Sequence, residues 1–218
     1  MDTNKIIEDL LRRHPALETI RDEVEQACVA IINSYEEGGK VLTCGNGGSA
    51  ADADHIVGEL MKSFEGRRPL DESLWRDLTE VDPSRGAFLA EKLQTGLPAI
   101  SLNAHTALIT AVANDIDPAL IFAQQVVAYG REEDILLALT TSGNSRNVVD
   151  AAITAKAMGM TVIGMTGEGG GKLKEFSDVL IAVPARRTAE VQEYHLPVYH
   201  VLCKAVEEAF FGTTNDER

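Results

Sequence analysis

His55 and Glu59 lie four residues apart, with Asp52 three residues before His55. Those spacings put all three on one face of a helix. A histidine and a carboxylate so placed can share a divalent metal or act as an acid–base pair, although a single HxxxE is more often a pair on a solvated face. A second group lies near the C-terminus: Gln192, Glu193, Tyr194 and His195, then His200. Gln192 and His200 are eight residues apart, about 80° around a helix and roughly 12 Å along it. One ion binds both only through long, reaching side chains, or if different protomers supply them. Pro197 sits between them and predicts a kink. Taken alone, His195 and His200 read as buried, hydrogen-bonded histidines. The pair Asn114-Asp115 precedes Ile116-Asp117-Pro118. It makes a turn or, facing a sugar, supplies the amide and carboxylate that hydroxyl recognition requires.

Two loops could hold the ligand for such chemistry. Gly45-Asn46-Gly47-Gly48-Ser49 follows the apolar run 40–44, and Thr140-Thr141-Ser142-Gly143-Asn144-Ser145 follows the run 134–139. A buried strand ending in glycine and hydroxyl residues before a helix makes an anion cradle of free N–H groups at the positive end of the helix dipole. The alternative is an ordinary turn with capping Ser and Thr. Neither loop is a dinucleotide fingerprint or a lysine-bearing phosphate loop. Hydroxyls in place of lysine suit one phosphate on a small polar molecule rather than a nucleoside triphosphate.

The elements that position these groups follow from periodicity. Residues 4–37 repeat at helical spacing, divided at His14-Pro15 and closed by Gly38-Gly39. Five apolar runs, 40–44, 98–102, 134–139, 160–165 and 178–182, read as buried strands. Helical patterns fill 47–62, 105–129, 145–158 and 187–211. Such alternation predicts an α/β fold: a parallel sheet with helices on both faces and ligands beyond the carboxyl ends of the strands. Segment 65–97 breaks the rhythm and reads as an inserted helical hairpin capped by Asp71 and Asp82, with Leu74, Trp75, Leu78, Phe88, Leu89 and Leu93 requiring burial. It is an active-site lid, a subunit contact or surface decoration. The helices at both chain ends, notably through Val201, Leu202, Ala205, Ala209, Phe210 and Phe211, predict apolar faces that a second subunit covers.

The 218 residues suit a single domain, 1–218. A net charge of −14 disfavours nucleic acid and anionic membranes as partners. Nothing resembles a signal peptide or a membrane span. The separated Cys28, Cys44 and Cys203 read as reduced, buried thiols, and the expected location is cytoplasmic.

Taken together, the segments CGNGGSAADADHIVGEL, ANDIDPALIFAQQV, TTSGNSRNVV and VQEYHLPVYH, in that order, resemble the sugar isomerase (SIS) domain and, within it, the phosphoheptose isomerases. The match covers nearly everything outside 65–97. The resemblance implies a five-stranded parallel sheet and a homotetramer with active sites between subunits. It also implies conversion of sedoheptulose 7-phosphate to D-glycero-D-manno-heptose 7-phosphate. Asn46, Gly47, Gly48 and Ser49 match a substrate loop, and Thr140, Thr141, Ser142 and Ser145 match the phosphate loop, Thr140 standing where the family usually has serine. Asn114, Asp115 and Gln192 match further substrate contacts. His55, Glu59, Gln192 and His200 match zinc ligands, with Glu59 and His200 also matching the catalytic base and acid. The family's aspartate three residues before the glutamine is Ala189 here, and the insertion is large enough to reshape the sugar pocket, so another phosphosugar is an alternative. A second alternative is a tetrameric adaptor of the same fold that binds the bacterial replication initiator; it lacks the histidine that this chain carries at His200. A sugar-phosphate-sensing regulator would bring a basic DNA-binding domain, which the first 36 residues do not supply.

Overall fold

The computed structural model describes residues 3–212. Five strands form one parallel sheet: β1 (Val41–Cys44), β2 (Ala99–Ser101), β3 (Ile135–Leu139), β4 (Thr161–Thr166) and β5 (Val179–Ala182), in the order β2-β1-β3-β4-β5. Leu42 pairs with Ile100 on one side and Leu136 on the other, and Leu137 pairs with Ile163. Every residue of the central β3 is buried. Its side chains alternate between two cores: Ile135, Leu137 and Leu139 face one, and Leu136 and Ala138 the other. A strand apolar at every position, rather than at alternate ones, is what two covered faces require.

On the first face lie α1 (Thr3–Arg13), α2 (Arg21–Glu36), α3 (Gly48–Met61) and α9 (Thr188–Phe211), which supply most of the larger core. Pro15 opens a 3-10 turn, Pro15–Ile20, between α1 and α2. On the second face, α7 (Ala123–Tyr129) and α8 (Arg146–Ala157) contribute Val126, Val148 and Ala152. The pattern over 105–129 is not one helix. It divides into α6 (Thr106–Asp115), a 3-10 turn at Pro118–Leu120, and α7, because Pro118 cannot continue α6 and Asp117 caps the turn through the Ala119 N–H at 2.7 Å. Pro197, by contrast, lies within a continuous α9.

The hairpin is present as α4 (Glu72–Val81) and α5 (Pro83–Lys92). Asp71 caps α4 at the Leu74 N–H, 2.9 Å away, and Asp82 caps α5 at the N–H groups of Ser84 and Arg85. The burial expected of its apolar residues is met only in part: Leu78 and Leu89 are half-buried, but Trp75 is 49% exposed, and Leu74, Phe88 and Leu93 are exposed as well. The two helices pack chiefly on each other, Gly86 lying directly against the Leu78 carbonyl.

The expected subunit face on α9 is corrected too. Val201, Leu202 and Ala205 are buried within the chain, and Phe210 and Phe211 pack on the same core, because α1 and α2 cover that side of α9; Ala209 alone stays exposed. The three cysteines are buried and free, and burial pushes the Cys28 and Cys44 thiols up to about 12. No helix among the described residues is long and apolar enough to cross a membrane.

Candidate active site

The sheet order reverses between β1 and β3: from β1 the chain crosses to β2 on one side, then returns to β3 on the other. In such sheets the ligand crevice opens beyond the carboxyl ends of the strands at that point. Both Gly/hydroxyl loops leave from there. Asn46 and Asn147 tie them together by a reciprocal amide pair, each Nδ2 donating to the other's Oδ1 at 2.9 Å. Asn103 secures the first loop from the β2 side, donating to the Gly45 carbonyl at 2.7 Å.

Local backbone chemistry shapes both cradles. Gly47 has φ +58°, the left-handed region that favours glycine, and it leads into α3 without a side-chain cap. Gly48 lies against the Gln192 amide, which would have to move to admit a Cβ there. Ser49 is buried behind it. In the second loop the Thr140 and Ser145 hydroxyls bond each other at 2.9 Å, so Ser145 precedes α8 without capping it. Ser142 is exposed, and its Oγ accepts from the Asn144 N–H at 3.1 Å. Thr141 accepts from the Gly167 N–H through its carbonyl. Neither helix is capped by the side chain of its N-cap residue, although Asn147 Oδ1 accepts from the Val148 N–H at 3.0 Å, and the hydroxyl-bearing second loop is suited to an anion.

The acid–base group lies farther along the first face, where α3 and α9 run side by side. His55 Nε2 is 3.0 Å from Glu59 Oε1, and His55 Nδ1 is 2.9 Å from the Tyr199 hydroxyl. Tyr199 donates to Asp52 at 3.3 Å. The His55 and His200 rings meet edge to face, with centroids 5.2 Å apart. Lys62 holds the other Glu59 oxygen at 2.9 Å. Burial, reinforced by the nearby His55, lowers the His200 pKa, which favours the neutral imidazole. Burial also raises the Asp52 carboxyl, against the donated Tyr199 bond. A carboxylate beside two imidazoles can move a proton between carbon and oxygen. A cavity of about 740 Å³ opens beside it, lined by His200, Phe64, Glu193 and Lys204.

His200 Nε2 is buried without a hydrogen-bond partner among the described residues, and the donor types of His55, Glu59 and His200 suit zinc. Gln192 is not with them: it packs on Gly48, at the substrate-loop end of α9 and roughly 12 Å of helix from His200. Among the described residues no three His, Cys, Asp or Glu side chains form a ready metal cage. Asn114 and Asp115 end α6, exposed and bonded to each other at 2.8 Å, with no hydrogen bond to either cluster. Trp75 lines a separate cavity of about 570 Å³ with Arg67 and Lys92, so within one chain the hairpin does not line the cavity beside His200.

The SIS domain model matches residues 6–92 and 84–167. A phosphoheptose isomerase of Methylibium petroleiphilum is 42% identical over 203 residues, covering 92% of this chain and 88% of the relative. The solved phosphoheptose isomerase of Francisella tularensis superposes with a TM-score of 0.74 at 34% identity, covering 94% and 96% of the two chains. That of Neisseria gonorrhoeae gives 0.72 at 32%, covering 92% and 94%. The chain belongs to the phosphoheptose isomerase family of SIS-domain proteins.

Within that family frame, three contributors to the site were not apparent from the sequence. Asn147 lies just inside α8, and only the sheet order shows that it faces Asn46. Tyr199 precedes His200, and its hydroxyl joins Asp52 to His55 across two helices. Arg68 and Glu207, 139 residues apart, form a buried ion pair behind Glu59. No local spacing connects an arginine beside Pro69 with a glutamate near the end of α9.

Proposed function

We propose that this protein is an aldose–ketose isomerase that converts sedoheptulose 7-phosphate to D-glycero-D-manno-heptose 7-phosphate. The observation that carries this reading is the cluster of Glu59, His55 and His200 on two adjacent helices in a chain whose paired β1/β3 loops suit one phosphate. Isomerisation moves a proton between neighbouring carbons through an enediol. Glu59 takes the proton from carbon, and His200, kept neutral by its burial, exchanges protons at the substrate oxygens. Ser142, Ser145 and the first-turn N–H groups of α8 hold the phosphate, and Asn46 and Gln192 orient the sugar. A zinc ion held by His55, Glu59 and His200 would polarise the carbonyl.

Assembly as a homotetramer with shared sites is part of the same proposal. Glu59 lies eleven residues along α3 from Gly48, roughly 16 Å of helix. An extended heptose phosphate spans only about 10 Å at about 1.2 Å per chain bond. One subunit's cradle paired with a neighbour's α3 and α9 removes that mismatch. Gln192, which sits beside its own loop, would then reach a metal only across subunits.

The test is a panel of ketose and aldose phosphates, assayed with added zinc and with chelator. Interconversion of the two heptose phosphates, lost with chelator and restored by zinc, is the expected result. Preference for a pentose or hexose phosphate would keep the chemistry and discard the heptose. Activity on none would discard the isomerase.

A further inference from the structure

Behind Glu59 lies a buried charged pair for which the proposed reaction has so far given no use. Arg68 is fully buried, and each hydrogen bond of its side chain ends on α3 or α9. Its Nε donates to Glu207 Oε1 at 2.7 Å, its Nη1 to the Leu60 carbonyl at 2.7 Å, and its Nη2 to the Glu59 carbonyl at 3.1 Å. Its flat face rests on the Phe211 ring, 4.8 Å from the centroid. Glu207 is equally engaged, accepting from the N–H groups of Phe64, Glu65 and Gly66, each at 2.8 Å. Burial acts to raise its pKa, but those three N–H groups and Arg68 outweigh it and hold the carboxyl below its ordinary value. Every polar atom of this pair is therefore matched, the condition under which a buried ion pair fixes one geometry.

We propose that Arg68 and Glu207 are positioning residues that set the register of α3 against α9 and so hold Glu59 in place beside His200; this rests on the isomerase reading above. The carbonyls of Glu59 and Leu60 belong to the last turn of α3, where a helix supplies no N–H donors of its own; the Leu60 carbonyl also accepts from the Leu97 N–H at 3.0 Å. Arg68 bonds both with one planar fork. Glu207 lies seven residues beyond His200, two turns along α9 and on the same side of the helix. The pair thus locks the backbone of the carboxylate-bearing helix to the helix that carries the histidine. A lysine would keep the charge and the reach but could not bond both carbonyls and the carboxylate in one plane.

A purely structural role has a specific form here. Arg68 also roots the hairpin: its carbonyl accepts from the Thr95 N–H at 2.9 Å, and the Thr95 hydroxyl donates to the Pro69 carbonyl at 2.7 Å. Thr95→Val removes the hydroxyl tether without touching the fork, and is expected to leave kcat unchanged.

The deciding variant is Arg68→Lys in the full chain, with circular dichroism confirming the fold. Turnover of sedoheptulose 7-phosphate should fall about tenfold or more in kcat, with KM within about twofold, because the phosphate loops lie at the other end of α3. Wild-type kcat in the folded variant, or a loss that only tracks the unfolded fraction, overturns the proposal. Hydrogen exchange reads the same coupling without turnover. Amides 58–61 and 204–208 should quicken together, by about tenfold. Faster exchange confined to 69–95 would reduce Arg68 to a hairpin anchor. If the wild type turns over no phosphosugar, the isomerase reading fails, while exchange still decides whether the pair couples the helices. Should Arg68→Lys not fold, Glu207→Gln, which removes the carboxylate charge and keeps one carbonyl acceptor, gives the same two readouts.

Discussion

Helix α3 of the α3–α9 face and the α4–α5 hairpin adjoin in sequence, and both regions carry apolar and charged residues at helical spacing. In the first, Leu60, Val201 and Leu202 are buried and Asp52, Tyr199, His55, Glu59 and Lys62 are linked by successive hydrogen bonds. In the second, Trp75, Leu74 and Phe88 remain exposed, and the helices rest mainly on each other. Amphipathic spacing therefore marks a face that can be buried, but the rest of the fold decides whether it is. A helix that follows a strand at a sheet switch point has a neighbour waiting for it; a hairpin between two strands does not.

If that contrast is right, substitutions on the α3–α9 face should matter far more than those on the hairpin. Glu59→Gln keeps the shape and removes the base, so kcat should fall at least about a hundredfold with the circular dichroism spectrum unchanged. Next in size is the cradle. Ser142→Ala combined with Ser145→Ala removes the hydroxyls proposed to hold the phosphate, and KM should rise about tenfold while kcat changes little. Calorimetry with the substrate phosphate gives an independent reading; unchanged affinity would move the phosphate elsewhere.

A pH experiment probes the core side of the same face. His195 is fully buried, and burial pushes its pKa down to about 4, against a bond with the Thr166 carbonyl at 3.2 Å. The folded state then holds the neutral ring, while the unfolded chain binds a proton below about pH 6.5. Stability from this group is complete above that value and falls as pH drops toward 4, by about 2 kcal/mol at pH 5. Urea unfolding at pH 7.5 and 5, compared with His195→Gln, isolates it; equal pH dependence in both proteins would contradict the assignment. The smallest effect is expected on the hairpin. Trp75→Ala should change stability by no more than about 0.5 kcal/mol and leave substrate preference as it was. A shift in preference would mean that the hairpin of one subunit reaches the site of another.

What could be read from the chain followed the physics of each signal. The strands were legible because continuous apolar runs such as 134–139 have one use in a parallel sheet, and the caps at Asp71 and Asp82 were legible because capping is local. His55 and Glu59 could be paired from helical spacing alone. The break before α7 was written in Asp117-Pro118 but concealed by apolar periodicity on both sides. The excess apolar face assigned to α9 failed because periodicity does not reveal that α1 and α2 fold back over it. Asn147, Tyr199 and the Arg68–Glu207 pair depend on contacts across 101 to 147 residues, and no local pattern encodes those.

The central claim is that Glu59 performs proton transfer on a heptose phosphate. Its most direct test is turnover of sedoheptulose 7-phosphate by the wild type and Glu59→Gln side by side, at saturating substrate and matched zinc. Ready formation of the aldose phosphate by the wild type, with about one hundredth of that rate or less from a folded Glu59→Gln, is the predicted result. Equal rates from the two proteins would contradict it.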